Sequence, residues 1–166
     1  MPAVPSDPSD RPPLVLAVDG PSGSGKSSVS REVARRLGLE YLDTGAMYRA
    51  VCWSVLDAGL DPGRPGALAD HVHELDLVVG TDPRAATVHV RGRDITAAIR
   101  EGRISAAVSA VAGDPDVRAE MRRRQRDLIE AARRGPGRGC VAEGRDITTV
   151  VAPDADVRIL LTADER

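Results

Sequence analysis

The chain has 166 residues, a formal net charge of −2 and 42% hydrophobic residues, which suits one domain with room for a small inserted subdomain. A charge so near zero excludes a general attraction to nucleic acid, and no apolar stretch is long enough to span a membrane. Cys52 and Cys140 form no metal-ligand pattern and read as buried, reduced thiols of a cytoplasmic protein.

Residues 1–13 are rich in Pro, Ser and Asp, lack the apolar core of a secretion signal, and read as a disordered tail. Leu14-Val15-Leu16-Ala17-Val18 is an apolar run of strand length, bounded by Pro12-Pro13 and Asp19-Gly20, and predicts a strand buried on both faces. Gly20-Pro21-Ser22-Gly23-Ser24-Gly25-Lys26-Ser27, followed by Ser28, fits the G-x-x-x-x-G-K-[ST] phosphate-binding loop at every position. Lys26 is the only lysine among 23 basic residues. A lone lysine in so arginine-rich a chain marks the place where a compact point charge must reach the β- and γ-phosphates, a space ill suited to the wide guanidinium fork. The loop's glycines allow backbone N–H groups to close around phosphate oxygens, the following helix N-terminus adds partial positive charge, and the Ser27 hydroxyl can face Mg²⁺. The chain is therefore expected to bind a nucleoside triphosphate. It contains no asparagine, so the Asn-Lys-x-Asp guanine-reading motif of switch GTPases is excluded.

Beyond the loop, Val29, Val33, Ala34 and Leu37 predict a helix stopped by Gly38. A short strand over 39–43 and a helix from Thr44 through Leu56 follow, with Asp43 or Thr44 as its N-cap. Residues 59–66 read as a loop and 67–75 as weakly helical. Residues 75–79, 87–90 and 91–95 read as a small antiparallel meander, and 96–111 as two short helices. Asp114 and Pro115 mark the N-cap and first turn of a charged helix over 115–133. Strands over 140–142 and 157–161 complete the pattern. Aromatic residues make up 2% of the chain, with no Phe, so its core must come from Val, Leu, Ile and Ala. Strands alternating with helices around a phosphate loop predict an α/β fold of the P-loop class, a doubly wound parallel sheet with helices on both faces. Within a domain over 14–166, residues 61–113 read as an inserted subdomain for a second substrate.

Gly20 to Ser28, Leu42-Asp43-Thr44-Gly45-Ala46-Met47-Tyr48-Arg49, Arg93 to Arg100, Arg122 to Arg126, and Ala142-Glu143-Gly144-Arg145-Asp146 with Val150 to Ala155 together resemble the bacterial cytidylate kinases over about residues 14–166. The resemblance implies transfer of the γ-phosphoryl group of ATP to CMP or dCMP with Mg²⁺, within pyrimidine metabolism, by a cytoplasmic monomer. It implies that Arg49 and Arg145 bind the CMP phosphate, that Ser109, Arg118 and Asp146 meet the cytosine, and that Asp43 and Thr44 line the acceptor site. A carboxylate accepting from cytosine N4 and a guanidinium donating to N3 and O2 make chemical sense of the assignment. Each residue also has a plainer reading. Arg49 and Arg118 would be surface charges, Asp43 an N-cap, Asp146 a turn residue and Ser109 small packing in an Ala/Val-rich helix. Arg122 to Arg126 read as a mostly solvated face with i,i+4 pairs. The resemblance further implies a C-terminal lid carrying arginines. The 166 residues stop at Thr162 to Arg166, where a helix toward that lid would begin, so a fragment of a longer protein, a poor catalyst alone, is expected. Another small-molecule P-loop kinase, or a nucleotide-binding fragment without transfer, are the other readings.

Overall fold

A computed structural model describes residues 11–64 and 66–162; the expected tail over 1–13 therefore lies largely outside the described residues, as do 163–166. Leu14–Asp19 forms strand β1, and from Val15 onward every residue of it is buried. Lys26–Leu37 forms helix α1 and Glu40–Asp43 strand β2. Far along the chain, Gly139–Gly144 forms strand β6, buried at all six positions, and Val157–Leu160 forms β7. These four strands make one parallel sheet in the order β2-β6-β1-β7. The fold is α/β of the doubly wound class. Strand order reverses beside β1, and ligands of such sheets bind where the carboxyl ends of strands diverge at that point.

The β1–β6 pairing runs unbroken from Leu14 opposite Gly139 to Asp19 opposite Gly144. Gly139 is required there. Its φ is +139°, and an added Cβ would stand 1.8 Å from the Leu14 carbonyl oxygen. Asp156 Oδ2 accepts the Val15 N–H at 2.8 Å and lies 3.6 Å from Arg133 Nη1. The inward line of α1 is Ser30 and Ala34, both fully buried, while Val29 and Leu37 are exposed. The apolar spacing alone misjudges that face, because the helix packs closely with β6, and close approach selects small side chains.

The described residues divide into two compact units: the first runs to Asp43, with Asp82–Arg84 and residues from Arg126 onward; the second comprises Thr44–Thr81 and Ala85–Gln125. Residues 61–113 fall in the second unit apart from Asp82–Arg84, and that unit also takes in residues 44–60 and 114–125. It includes helix α2, Thr44–Asp57, which packs with strand β4, Val88–Val90, and with helix α4, Gly102–Gly113. Helix α3, Ala69–His73, and strands β3, Leu77–Val79, and β5, Arg93–Asp94, also belong to it. Strands β3, β4 and β5 form the antiparallel meander expected from the alternating pattern. The two helices expected over 96–111 are both present, the second running on to Gly113. The first, a single 3₁₀ turn over Ala98–Arg100, leads into α4. Trp53 is 5% exposed in this unit, with the Arg93 guanidinium 5.3 Å from its ring centre.

Helix α5, Pro115–Arg134, begins as the Asp114-Pro115 pair predicts. Asp114 Oδ1 accepts the N–H groups of Asp116 and Val117 at 2.9 and 3.1 Å. Its arginines are less idle than their surface reading suggests. Arg124 donates to the carbonyls of Leu75, Val72 and His73 at 2.7, 3.0 and 3.2 Å, closing the carboxyl end of α3. With Arg123 it also pairs with Glu120, whose carboxyl these bonds pull down to about 2. Arg126 donates to Val150 and Val151 carbonyls. No described helix is long and apolar enough to cross a membrane. Replacing the α5 cap should show its worth. Asp114→Ala is expected to lose about 1 kcal/mol of stability in urea denaturation, with Asp114→Asn recovering most of it; an Ala variant as stable as the parent would mean the cap is replaced by solvent.

Candidate nucleotide site

The carboxyl end of β1 delivers the chain into the glycine loop. Pro21, Ser22 and Gly23 are exposed, and helix α1 starts at Lys26. Gly23 and Gly25 hold φ of +79° and +80°, the left-handed region where a Cβ is disfavoured. Left-handed positions of this kind are what allow the N–H groups of a loop to turn together toward phosphate oxygens. Lys26 Nζ lies 3.4 Å from the Pro21 carbonyl, so the lysine folds back over its own loop. Ser24 Oγ is buried without a hydrogen-bond partner, an orphan in the loop that a phosphate oxygen would satisfy.

Ser27 donates a hydrogen bond of 2.6 Å to Glu143 Oε1. Glu143 sits near the end of β6, 2% exposed. Burial pushes its carboxyl above the usual range. The Ser27 bond, Lys26 and Tyr41 oppose that rise, and the Asp43 charge adds to it. Tyr41 on β2 is raised by burial and by the same two carboxylates, and Arg31 of α1 lies 5.4 Å from its ring centre. Lysine, serine hydroxyl and two carboxylates thus meet at the adjacent ends of β1, β6 and β2. The Ser27 hydroxyl and Glu143 carboxylate are hard oxygen donors. Mg²⁺ is usually held by one or two carboxylates, a hydroxyl, waters and phosphate oxygens rather than by an all-protein cage, so this pair fits such an ion. Among the described residues, no group of three or more His, Cys, Asp or Glu forms a metal cage.

Arg145 and Asp146 follow directly. Arg145 is exposed and Asp146 half-buried, and the Asp146 carbonyl accepts from Val150 and Val151 N–H at 2.9 and 3.1 Å. This opens a five-residue π-helical turn, Ile147–Val151, that the β-branched sequence does not announce. Thr44, Arg49, Ser109 and Arg118 belong to the second unit. Thr44 opens α2 and is buried at 3% exposure; Arg49 lies half-buried on the same helix. Ser109 is exposed on α4, and Arg118 on α5 donates to the Ala112 carbonyl at 3.3 Å.

Two residues of consequence escape a reading by motif. Glu143 appears in the sequence only as part of Glu143-Gly144-Arg145-Asp146, and its hold on Ser27 spans 116 positions. Asp19 appears only as the end of a strand. In both cases the available signal is an acidic residue closing an apolar strand, which a parallel sheet buries.

Comparison with known proteins agrees with this geometry. The family model for cytidylate kinase matches residues 16–166. A cytidylate kinase of Nocardia farcinica is 52% identical over 155 residues, covering 93% of this chain and 65% of the relative. One of Streptomyces avermitilis is 47% identical over 152 residues, covering 92% and 64%. A bifunctional pantoate ligase/cytidylate kinase of Synechococcus elongatus is 48% identical over 154 residues, covering 90% of this chain and 28% of the relative. The chain thus spans just under two thirds of the first two relatives. A complete phosphate loop, a buried acid on its serine and a match over nearly the whole length have one common explanation: the chain belongs to the cytidylate kinase family.

Proposed function

We propose that this chain serves an enzyme that transfers the γ-phosphoryl group of ATP to CMP or dCMP. The observation that carries the reading is the adjacency of the phosphate loop, with Ser27 bonded to Glu143, and the Arg145-Asp146 pair two residues further on. The names of the related kinases support the acceptor. Lys26 and the loop amides hold the β- and γ-phosphates. Ser27 and Glu143 would hold Mg²⁺, which when bound neutralises phosphate charge. Arg49 and Arg145 bind the CMP phosphate; guanidinium forks suit a dianion. Ser109, Arg118 and Asp146 meet the cytosine, while Asp43 and Thr44 line the acceptor site. The attacking phosphate is already an oxyanion, so the reaction rests on positioning and charge stabilisation more than on a general base. The reading includes a cytoplasmic monomer. Its two free, buried thiols suit a reducing compartment.

The direct test is ADP release with CMP, dCMP, UMP and AMP as acceptors, on the 166-residue chain and on the product of the complete reading frame. Preference for CMP and dCMP is expected; a preference for AMP, or ATP binding without any transfer, would overturn the reading. Lys26→Ala should lower turnover on the order of a hundredfold or more with the fold retained, because its charge acts where the phosphoryl group develops charge. Near-normal turnover would remove Lys26 from the chemistry.

Glu143 should separate stability from activity. Its folded carboxyl holds a proton more tightly than the ordinary value of 4.5, so the native state is favoured at low pH. That contribution is lost as pH rises from 4.5 through the raised folded value. At neutral pH the buried charge weighs against folding. Glu143→Gln is expected to be more stable than the parent at neutral pH, to flatten this part of the pH dependence, and to lose roughly tenfold to a hundredfold in turnover. Urea denaturation across pH and initial rates check both halves; lower stability at neutral pH would show that the carboxylate's bonds outweigh its burial.

Asp146→Asn replaces an acceptor-only carboxylate with an amide that also donates. Weaker discrimination of CMP from UMP is expected, with a loss for CMP on the order of 1–3 kcal/mol. Unchanged kinetics with both nucleotides would make Asp146 only a turn residue.

A further inference from the structure

Asp19 ends β1 immediately before the phosphate loop, and it is 3% exposed. Its carboxylate is engaged on both oxygens. Oδ1 accepts the Ile147 N–H at 2.9 Å; Oδ2 accepts the Thr148 N–H at 2.8 Å and the Thr148 hydroxyl at 2.6 Å. Ile147 and Thr148 begin the π-helical turn that follows Arg145 and Asp146. The turn's own bonds run from Val150 and Val151 to Asp146 and from Ala152 to Ile147, which leaves the first N–H groups needing an outside acceptor. Asp19 is that acceptor. At the opposite end, Arg126 donates to the Val150 carbonyl at 2.7 Å and to Val151 at 3.2 Å. A short turn is thus held by a negative group at its amino end and a positive group at its carboxyl end, the polarity that a helical turn's dipole favours.

The backbone around Asp19 joins the same junction. Gly20 N–H donates to the Gly144 carbonyl at 3.3 Å, and Leu161 N–H donates to the Asp19 carbonyl at 2.8 Å. One residue therefore ties together the start of the phosphate loop, the turn after Arg145-Asp146 and the segment after β7. We infer that Asp19 is a positioning residue for the acceptor: through Ile147 and Thr148 it fixes where Arg145 and Asp146 stand relative to the phosphate loop. This rests on the acceptor roles proposed for those two residues. Phosphoryl transfer needs near-attack geometry, in which small displacements weigh heavily. A buried carboxylate with three donors resists displacement better than a neutral acceptor. Asparagine would keep one oxygen and set an NH₂ against a backbone N–H or the threonine.

The test uses the product of the complete reading frame, with the parent protein, Asp19→Asn, Thr148→Val and Thr148→Ser. CMP and a non-hydrolysable ATP analogue are titrated separately by calorimetry, and thermal stability is recorded for each variant. Asp19→Asn is expected to weaken CMP binding about tenfold or more while analogue binding stays within about twofold, tenfold corresponding to about 1.4 kcal/mol. Thr148→Val should show a smaller loss in the same direction, restored by Thr148→Ser, whose hydroxyl is retained. Should Asp19→Asn fail to fold, the threonine pair decides alone. Unchanged CMP binding in folded variants overturns the inference, as does an equal loss for both nucleotides that follows the loss of stability. A parent protein that binds the analogue but not CMP overturns the acceptor reading itself, and this inference with it.

Discussion

The parallel ladder between β1 and β6 is the constraint from which the first unit's chemistry follows. The two strands start together at Leu14 and Gly139 and end together at Asp19 and Gly144. Their outgoing loops therefore leave the sheet at one level. The phosphate loop is the continuation of one strand, and Arg145-Asp146 the continuation of the other. A one-residue slip in this ladder would exchange inward and outward faces along β6 and carry Glu143 away from Ser27. The sheet tolerates no such slip, because Gly139 fits against the Leu14 carbonyl as no other residue would.

The ladder also explains why acidic residues lie in an apolar sheet. Asp19 and Glu143 are 3% and 2% exposed, where an unpaired carboxylate would be strongly disfavoured. Each is answered by donors from a neighbouring segment: Asp19 by the turn at Ile147-Thr148, Glu143 by Ser27. The two settings differ in their charge balance. Asp19 receives three short bonds and acts as a strut. Glu143 keeps a raised proton affinity beside Lys26 and Asp43, which suits a group that meets a cation.

Local chemistry made much of this legible in the sequence. The glycine loop, the buried run before it, the Asp114-Pro115 helix start and the alternating meander each rest on signals within a few residues, and each has its counterpart in the structure. What escaped depends on partners distant in sequence. Ile147-Thr148-Thr149-Val150-Val151 has the β-branched content of a strand, yet forms a π turn whose ends are held by Asp19 and Arg126. Arg124 reads as a solvated charge until α3 and the residues just after it supply three carbonyls, those of Val72, His73 and Leu75. Val29 and Leu37 read as the inner face of α1, but β6 comes close enough to prefer Ser30 and Ala34. The roles of Arg49, Ser109 and Arg118 rest on resemblance, since each residue alone has an ordinary surface reading.

The scarcity of aromatic residues gives the molecule an unusual optical property. Its one tryptophan, Trp53, belongs to the second unit, shielded from solvent and overlaid by Arg93. Tryptophan emission is therefore a spectroscopic label confined to that unit, native to the chain and needing no dye. The first unit carries Tyr41 and no tryptophan. Emission excited at the red edge of the indole band therefore has its source in the second unit alone, whereas tyrosine emission has one source in each, Tyr41 and Tyr48.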